Sequence, residues 1–495
     1  GRVFSSRTRK MQFRTALAVL LAASYASAGI LRVIPGEIER RSVHKPLSNA
    51  NHPRALSRRA PSNEADEASI TDPSQECTAY SVSALEQSKS SYPTIWQIAS
   101  IVQGDDEANS VWQDIQNSGI IPSDVQVKQE QGTEHMGVSS SGYDTSSDPD
   151  CWWTAKNCVQ PKHQGLDMDL TSCPEPNTWG LTFDDGPNCT HNAFYDFLSQ
   201  NSLKATMFYI GSNVLDWPYQ AQRGIVDGHD ICVHTWSHHY TTTLTNEQVF
   251  AELYYTAKAI KQVVGITPTC WRPPYGDVDD RVRAIAYGLG LRTILWEADT
   301  DDWNIIPAGT QSTQQIDQNY QNIFNKAGSE SPIVLTHEIV LQTMEEFQKM
   351  YPQLKQAYKN VVPLTACQNV TKPYPDSDIT YPGFSDFVGR NVNASGLPDG
   401  TSISVQSNVS FQPKNLNNTQ NGYGHPTSGQ AAQKSSSSSS SSASASSGSG
   451  SGSSSSSGSS SSSDNKSDSK SAAVTLSISS AALVGATLLS SLMLL

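Results

Sequence analysis

The chain has 495 residues and a formal net charge of −13. Its composition shifts so strongly from end to end that a simple count of two or three globular domains does not describe it. The acidic balance, with no long basic run, excludes nucleic acid as the main partner.

In chain order, Met11 to Arg14 gives a positive start, Thr15 to Ala23 a short apolar run, and Ala26-Ser27-Ala28 a small-x-small cleavage pattern. These predict a secretory signal over 11–28. Residues 1–10 lie upstream of Met11 and stay outside the fold reading. Residues 29–75 are rich in Ser, Arg, Pro and Asn with little periodicity, and predict a flexible prosegment. Its Arg40-Arg41 and Arg58-Arg59 pairs read equally as dibasic processing sites or as solvated charge. Apolar residues return from Tyr92 to Val127, so 76–172 is expected to be an extension that packs on the next domain and carries no chemistry.

Between Trp179 and Cys367 apolar segments at 179–183, 205–210, 230–234, 269–272, 292–297, 332–336 and 361–365 read as strands. Helical stretches fall near 191–200, 214–227, 245–264, 279–289, 313–326 and 342–358. Alternation of this kind predicts an α/β fold, an irregular barrel of about seven parallel strands with reactive residues at the strands' carboxyl ends.

Five clusters fall at such ends. Thr182-Phe183-Asp184-Asp185-Gly186-Pro187 runs an apolar strand into two acids and a breaker. Adjacent strand residues point to opposite faces, so both acids share one site only where the strand bends. His234 and His238 stand four apart and meet on one face if the chain turns helical. Two imidazoles and a carboxylate form an open zinc-type ligand set, beside which a second acid can act as base. In Arg272-Pro273-Pro274-Tyr275-Gly276 the prolines fix a loop in which the Tyr275 amide is placed for a developing oxyanion, and Arg272 is placed to hold an ionised Asp184. Glu297 to Trp303 brings several acids and an indole, including Asp299 and Asp302. Leu335-Thr336-His337 delivers a histidine that an oriented carboxylate would make a general acid.

These five clusters, in this order, resemble the motifs of the carbohydrate esterase family 4 polysaccharide deacetylases, the NodB-homology domain, over about 173–367. Together with the signal and the tail described below, the resemblance is to the fungal cell-wall chitin deacetylases of that family. It implies a divalent metal, zinc first and cobalt second, on Asp185, His234 and His238. It also implies Asp184 as base, Arg272 as the residue that orients it, His337 as acid tuned by Asp302, and the Tyr275 amide as oxyanion donor. Asp184, Tyr275, Trp303 and Leu335 would contact substrate, with Leu335 and Trp303 around the acetyl methyl. Tyr275, Trp236 and Trp303 suit stacking on sugar faces. The implied substrate is chitin or another N-acetylglucosamine polymer, and a monomer is expected. An acetyl-xylan or peptidoglycan deacetylase, or a non-catalytic wall glycan-binding mannoprotein, would be the alternatives.

Eight cysteines permit four disulfides. Cys173 and Cys367 bracket the motif region, which favours their pairing, and Cys151 and Cys158 flank a short loop. Cys77, Cys189, Cys232 and Cys270 lack thiolate-zinc spacing. Sequons at Asn188, Asn369, Asn393, Asn408, Asn417 and Asn465 fit a secretory route. The domain is bounded at 173–370 and followed by a glycosylated extension over 371–434. A Ser-rich stalk over 435–470 contains the GPI attachment region near Asn465, and an apolar tail over 471–495 is removed. A transmembrane tail is disfavoured because no basic stop follows Leu495. The expected location is outside the cell, GPI-anchored at the plasma membrane and cell wall.

Overall fold

The computed structural model describes residues 60–413 except 134, 307 and 308, together with 422 and 423. The signal, most of the prosegment, Asn417, the stalk with Asn465 and the apolar tail lie outside the described residues. Among the described residues no helix is long and apolar enough to cross a membrane.

The barrel strands are β1 (Thr178–Gly186), β2 (Thr206–Tyr209), β3 (Asp230–Val233), β4 (Cys270–Trp271), β5 (Arg292–Thr293), β6 (Ala298–Asp299), β7 (Ile333–Leu335) and β8 (Asn360–Val362). They run in the order β5-β4-β3-β2-β1-β7-β6, all pairings parallel, with β8 paired to the start of β1. The predicted parallel α/β barrel is therefore present. All nine residues of β1 are buried, because helices cover its outer face and side chains fill its inner one. Trp179 and Phe183 turn outward against Tyr320, Phe324, Phe194 and Phe347. The alternate residues Thr182 and Asp184 turn inward to Arg272.

The connecting helices are α1 (Asn192–Gln200), α2 (Gly211–Asp216), α3 (Pro218–Val226), α4 (Asn246–Val264), α5 (Asp280–Gly288), α6 (Thr313–Phe324) and α7 (Leu341–Ala357). The long α4 is delimited as its sequence dictates. Thr245 and Gln248 form a reciprocal capping box, and Gly265 ends the helix at φ 86°.

Three expectations change. The stretch 292–297 is not one strand: Leu295 N–H donates to Leu170 O and Glu297 N–H to Ile333 O, so the chain leaves β4's edge and crosses to β7 as β6. The helix expected over 214–227 is two helices, broken where Trp217 leaves helical geometry before Pro218. Residues 60–75, expected within a flexible prosegment, carry a helix at Glu64–Ala68 and the start of another at Pro73–Glu76. Their polar composition is not solvated, because buried Glu67 and Glu76 accept hydrogen bonds from Asn192 at the start of α1, and Glu67 also from Gln220 of α3.

The remaining segments pack on the barrel as well. Trp112 of the extension lies against Phe250 of α4, and beyond residue 370 Tyr374, Ile379, Tyr381 and Phe411 are buried. All eight cysteines are paired, as Cys77–Cys189, Cys151–Cys158, Cys173–Cys367 and Cys232–Cys270.

Candidate active site

The site begins where β1 loses its regular register, between Asp184 and Gly186. Asp185 takes φ 73°, so the two adjacent acids stop pointing to opposite faces and both turn to the barrel mouth. The Asn213 amide of α2 donates to Asp185 O at 2.8 Å and fixes that bulge. Gly186 is required behind it, since a Cβ there would lie 1.7 Å from Glu338 Oε1.

Asp184 Oδ1 accepts from Arg272 Nη1 at 2.6 Å, and the same nitrogen donates to Thr182 Oγ1 at 2.9 Å. Arg272 is fully buried, its guanidinium 4.2 Å from the centre of the Phe208 ring. This charge-assisted bond fixes the orientation of Asp184 and leaves its other oxygen facing His234 Nε2 at 3.8 Å.

His234 and His238 converge as expected, but no helix joins them. Residues 234–239 form a loop with Thr235 at φ 65° and His238 at φ 57°. A residue that carried no weight in the sequence pins this loop. Glu252, buried in α4, accepts from Trp236 N–H at 2.9 Å, Ser237 N–H at 2.8 Å and Ser237 Oγ at 2.6 Å. The signal for it was an acid on the apolar face of α4.

The donor set fits a divalent cation. His234 Nδ1 donates to Arg272 O at 2.9 Å, which leaves Nε2 with its lone pair towards Asp185. Asp185 Oδ1 is buried without a hydrogen-bond partner, 3.2 Å from His234 Nε2 and 3.1 Å from His238 Nε2. Three ligand atoms lie within 4.8 Å of one another, an arrangement that a cation relieves.

His337 stands just beyond the end of β7, bridged to Asp184 on the neighbouring strand. Asp302 accepts from its Nδ1 at 2.6 Å and from its backbone N–H at 2.8 Å, using both carboxylate oxygens. Burial works against a charged His337, yet the Asp302 charge and hydrogen bond prevail, with the Asp185 and Asp184 carboxylates adding to them, and its pKa rises to about 10. Asp299 takes no part in this pair, since its carboxylate accepts from Asp301 N–H.

Half-buried Tyr275 sits in the turn Pro274–Gly276 at φ 59°, its hydroxyl 3.2 Å from His238 Nδ1 and its ring stacked on Tyr240 at 4.1 Å. Leu335 is buried at the end of β7, and half-buried Trp303 lies in the turn after β6.

Trp236 is a correction. It is fully buried, donates to Thr94 O and stacks on Tyr92, so it offers no face to a sugar. The inward turn at Thr235 carries it into the core. At Asn188 the side-chain nitrogen donates to Ile339 O and the oxygen accepts from Thr190, which ties two loops at the rim. Asn369, Asn393 and Asn408 are exposed.

A family profile described as polysaccharide deacetylase matches residues 171–294. Chitin deacetylase 2 of Cryptococcus neoformans var. grubii is 51% identical over 370 residues, covering 72% of this chain and 78% of that protein. The chain belongs to the polysaccharide deacetylase family. Chitin deacetylase 2 of Cryptococcus neoformans var. neoformans is 46% identical over 394 residues, covering 77% and 82% of the two chains. The chitin deacetylase of Amylomyces rouxii is 45% identical over 340 residues, covering 66% and 76%. In this deacetylase β1 and β7, neighbours in the sheet, thus present an anchored acid pair and an anchored imidazole to one mouth.

Proposed function

We propose that this deacetylase is a metal-dependent chitin deacetylase, which hydrolyses N-acetyl groups of N-acetylglucosamine units to leave chitosan and acetate. The observation that carries the reading is the meeting of two tethered pairs, Asp184–Arg272 and His337–Asp302, on neighbouring strands beside the Asp185, His234 and His238 set. The names of the similar proteins support chitin as substrate.

An acetamide is a poor electrophile with a poor leaving group, so its hydrolysis needs an activated water, a polarised carbonyl and a proton for nitrogen. When bound on Asp185, His234 and His238, the metal, zinc or in its place cobalt, supplies Lewis acidity and a lowered water pKa. Asp184, oriented by Arg272, takes the proton of the attacking water as the new C–O bond forms. The Tyr275 N–H donates to the oxyanion. His337 holds its Nδ1 proton on Asp302 and delivers its Nε2 proton to the nitrogen as the C–N bond breaks. Leu335 and Trp303 enclose the acetyl methyl. The signal-like 11–28, the four disulfides, the sequons and the apolar tail support a secreted protein held by a GPI anchor at the plasma membrane and cell wall.

The test is acetate release from a chitin oligomer by the purified protein, before and after chelation and with zinc added back. Release lost on chelation and restored by zinc is expected. Zinc-dependent release from acetyl-xylan or peptidoglycan fragments alone would reassign the substrate, and release indifferent to chelation would overturn the metal role.

A further inference from the structure

The extension expected to carry no chemistry reaches the turn that bears Tyr275. Its Trp152-Trp153-Thr154 segment opens a short helix, Trp153–Lys156, inside the loop that the Cys151–Cys158 disulfide closes. Buried Arg283 of α5 donates to the carbonyls of both cysteines, at 2.6 and 2.9 Å, so the loop is fixed to the barrel at its two ends. From there Trp153 N–H donates to Val278 O at 3.0 Å. The half-buried Trp153 ring lies against Gly276, where a Cβ would come within 2.3 Å of it. Trp152 Nε1 and Thr154 Oγ1 both donate to Asp277 Oδ1, at 2.9 and 2.6 Å.

Asp277 is fully buried, and its other oxygen accepts from Thr242 N–H at 2.8 Å and Thr242 Oγ1 at 2.7 Å. One carboxylate thus takes two hydrogen bonds from the extension and two from the segment that follows the histidine loop. Its own N–H donates to Pro274 O at 3.0 Å, across the turn in which Tyr275 lies at φ 59°. A non-glycine residue in that region is strained and persists only where its surroundings over-determine it. The barrel supplies part of that constraint through Thr242, and the extension supplies the rest through Trp152, Trp153 and Thr154. We infer that Trp153 and Thr154 are positioning residues for the reaction, which keep the Tyr275 N–H aimed at the oxyanion by bracing Gly276 and Asp277 on either side of that strain. The inference rests on the deacetylase reading with Tyr275 as donor, and it adds the extension to the parts on which turnover depends.

The experiment measures kcat and KM on a chitin oligomer and on the same oligomer carrying N-trifluoroacetyl groups. Fluorine withdraws charge from the developing oxyanion, so the second substrate leans less on an external donor. Trp153→Ala should lower kcat on the chitin oligomer by about tenfold or more, part of the roughly hundredfold or more that a whole oxyanion donor supplies. KM should stay within about twofold, since the donor acts only in the transition state, and the loss on the trifluoroacetyl oligomer should be clearly smaller. Trp153→Phe, which keeps a ring against Gly276, should recover most of the rate. Thr154→Val keeps the shape and removes one hydrogen bond to Asp277, and should act in the same sense by a smaller factor; it serves as second variant if Trp153→Ala does not fold. Equal losses on the two substrates, a loss carried by KM, or an unchanged kcat in Thr154→Val would overturn the inference. Failure of the underlying reading looks different, because the unaltered protein would then release no acetate from the chitin oligomer.

Discussion

Asp184 and Asp230 are both strand-borne, fully buried acids, one at the carboxyl end of β1 and the other at the start of β3. Each also stands beside a three-residue cluster with the makings of a metal site. At the mouth this is Asp185, His234 and His238, and at the base Asp230 itself with Cys232 and Cys270. The base cluster is spent, since its two sulfurs form a disulfide and Asp230 accepts from the hydroxyls of Thr206, Tyr374 and Tyr423. Those neutral donors tie the segment after residue 370 to the barrel. Asp184 instead faces a fixed guanidinium and an imidazole with a free lone pair. Burial of an acid therefore does not mark a site; what marks it is charge held ready on more than one side.

The largest expected effect breaks the mouth pair. Asp184→Asn should lower kcat on chitin oligomers by about a hundredfold or more, the scale of an acid–base group, while bound zinc measured by elemental analysis stays near one per chain. His234→Ala should lose the metal itself. If the Asn variant lost its metal as fully, the separation of base from ligand would fail.

Next is the proton donor. His337→Ala should cost about a hundredfold on an acetamide and clearly less on an activated aryl acetate, whose leaving group needs little protonation. Equal losses on both substrates would remove His337 from that role. Asp302→Asn acts more mildly, on the pH profile. Its charge is the main influence raising the His337 pKa against burial, so without it the imidazole loses its proton at lower pH. The alkaline limb of kcat/KM should move down by about one unit or more. A limb that stays in place would show that His337 does not set it.

The mouth was legible because its residues sit on periodic patterns. Apolar strands end in Asp184, His234, Arg272 and His337, and the breakers Gly186-Pro187 and Pro273-Pro274 follow the first and third. What escaped depends on pairing distant in sequence. Glu252 bonds to Ser237 from another element, Asn213 reaches back to Asp185, and the acids of residues 60–76 find amides on α1 and α3. Trp236 was misread for a related reason. Its motif neighbours are reactive, but the left-handed turn at Thr235, invisible in composition, decides which way the indole points.

The smallest catalytic effect, and the sharpest test of the comparison, belongs to the base. Burial raises the pKa of Asp230 to about 6, against the lowering effect of its three hydroxyl partners. An unfolded Asp titrates near 4. Between about pH 4 and 6 the folded state thus binds the extra proton, so folding stability contributed by this group is present at low pH and is lost as pH rises to about 6. Asp230→Asn removes that dependence. Relative to the unaltered protein its stability in urea should rise by on the order of 3 kcal/mol between pH 4 and 7, while kcat at pH 7 stays within about twofold. Loss of turnover approaching that of Asp184→Asn would mean that the base of the barrel is coupled to the chemistry, and the distinction between the two buried acids would fall.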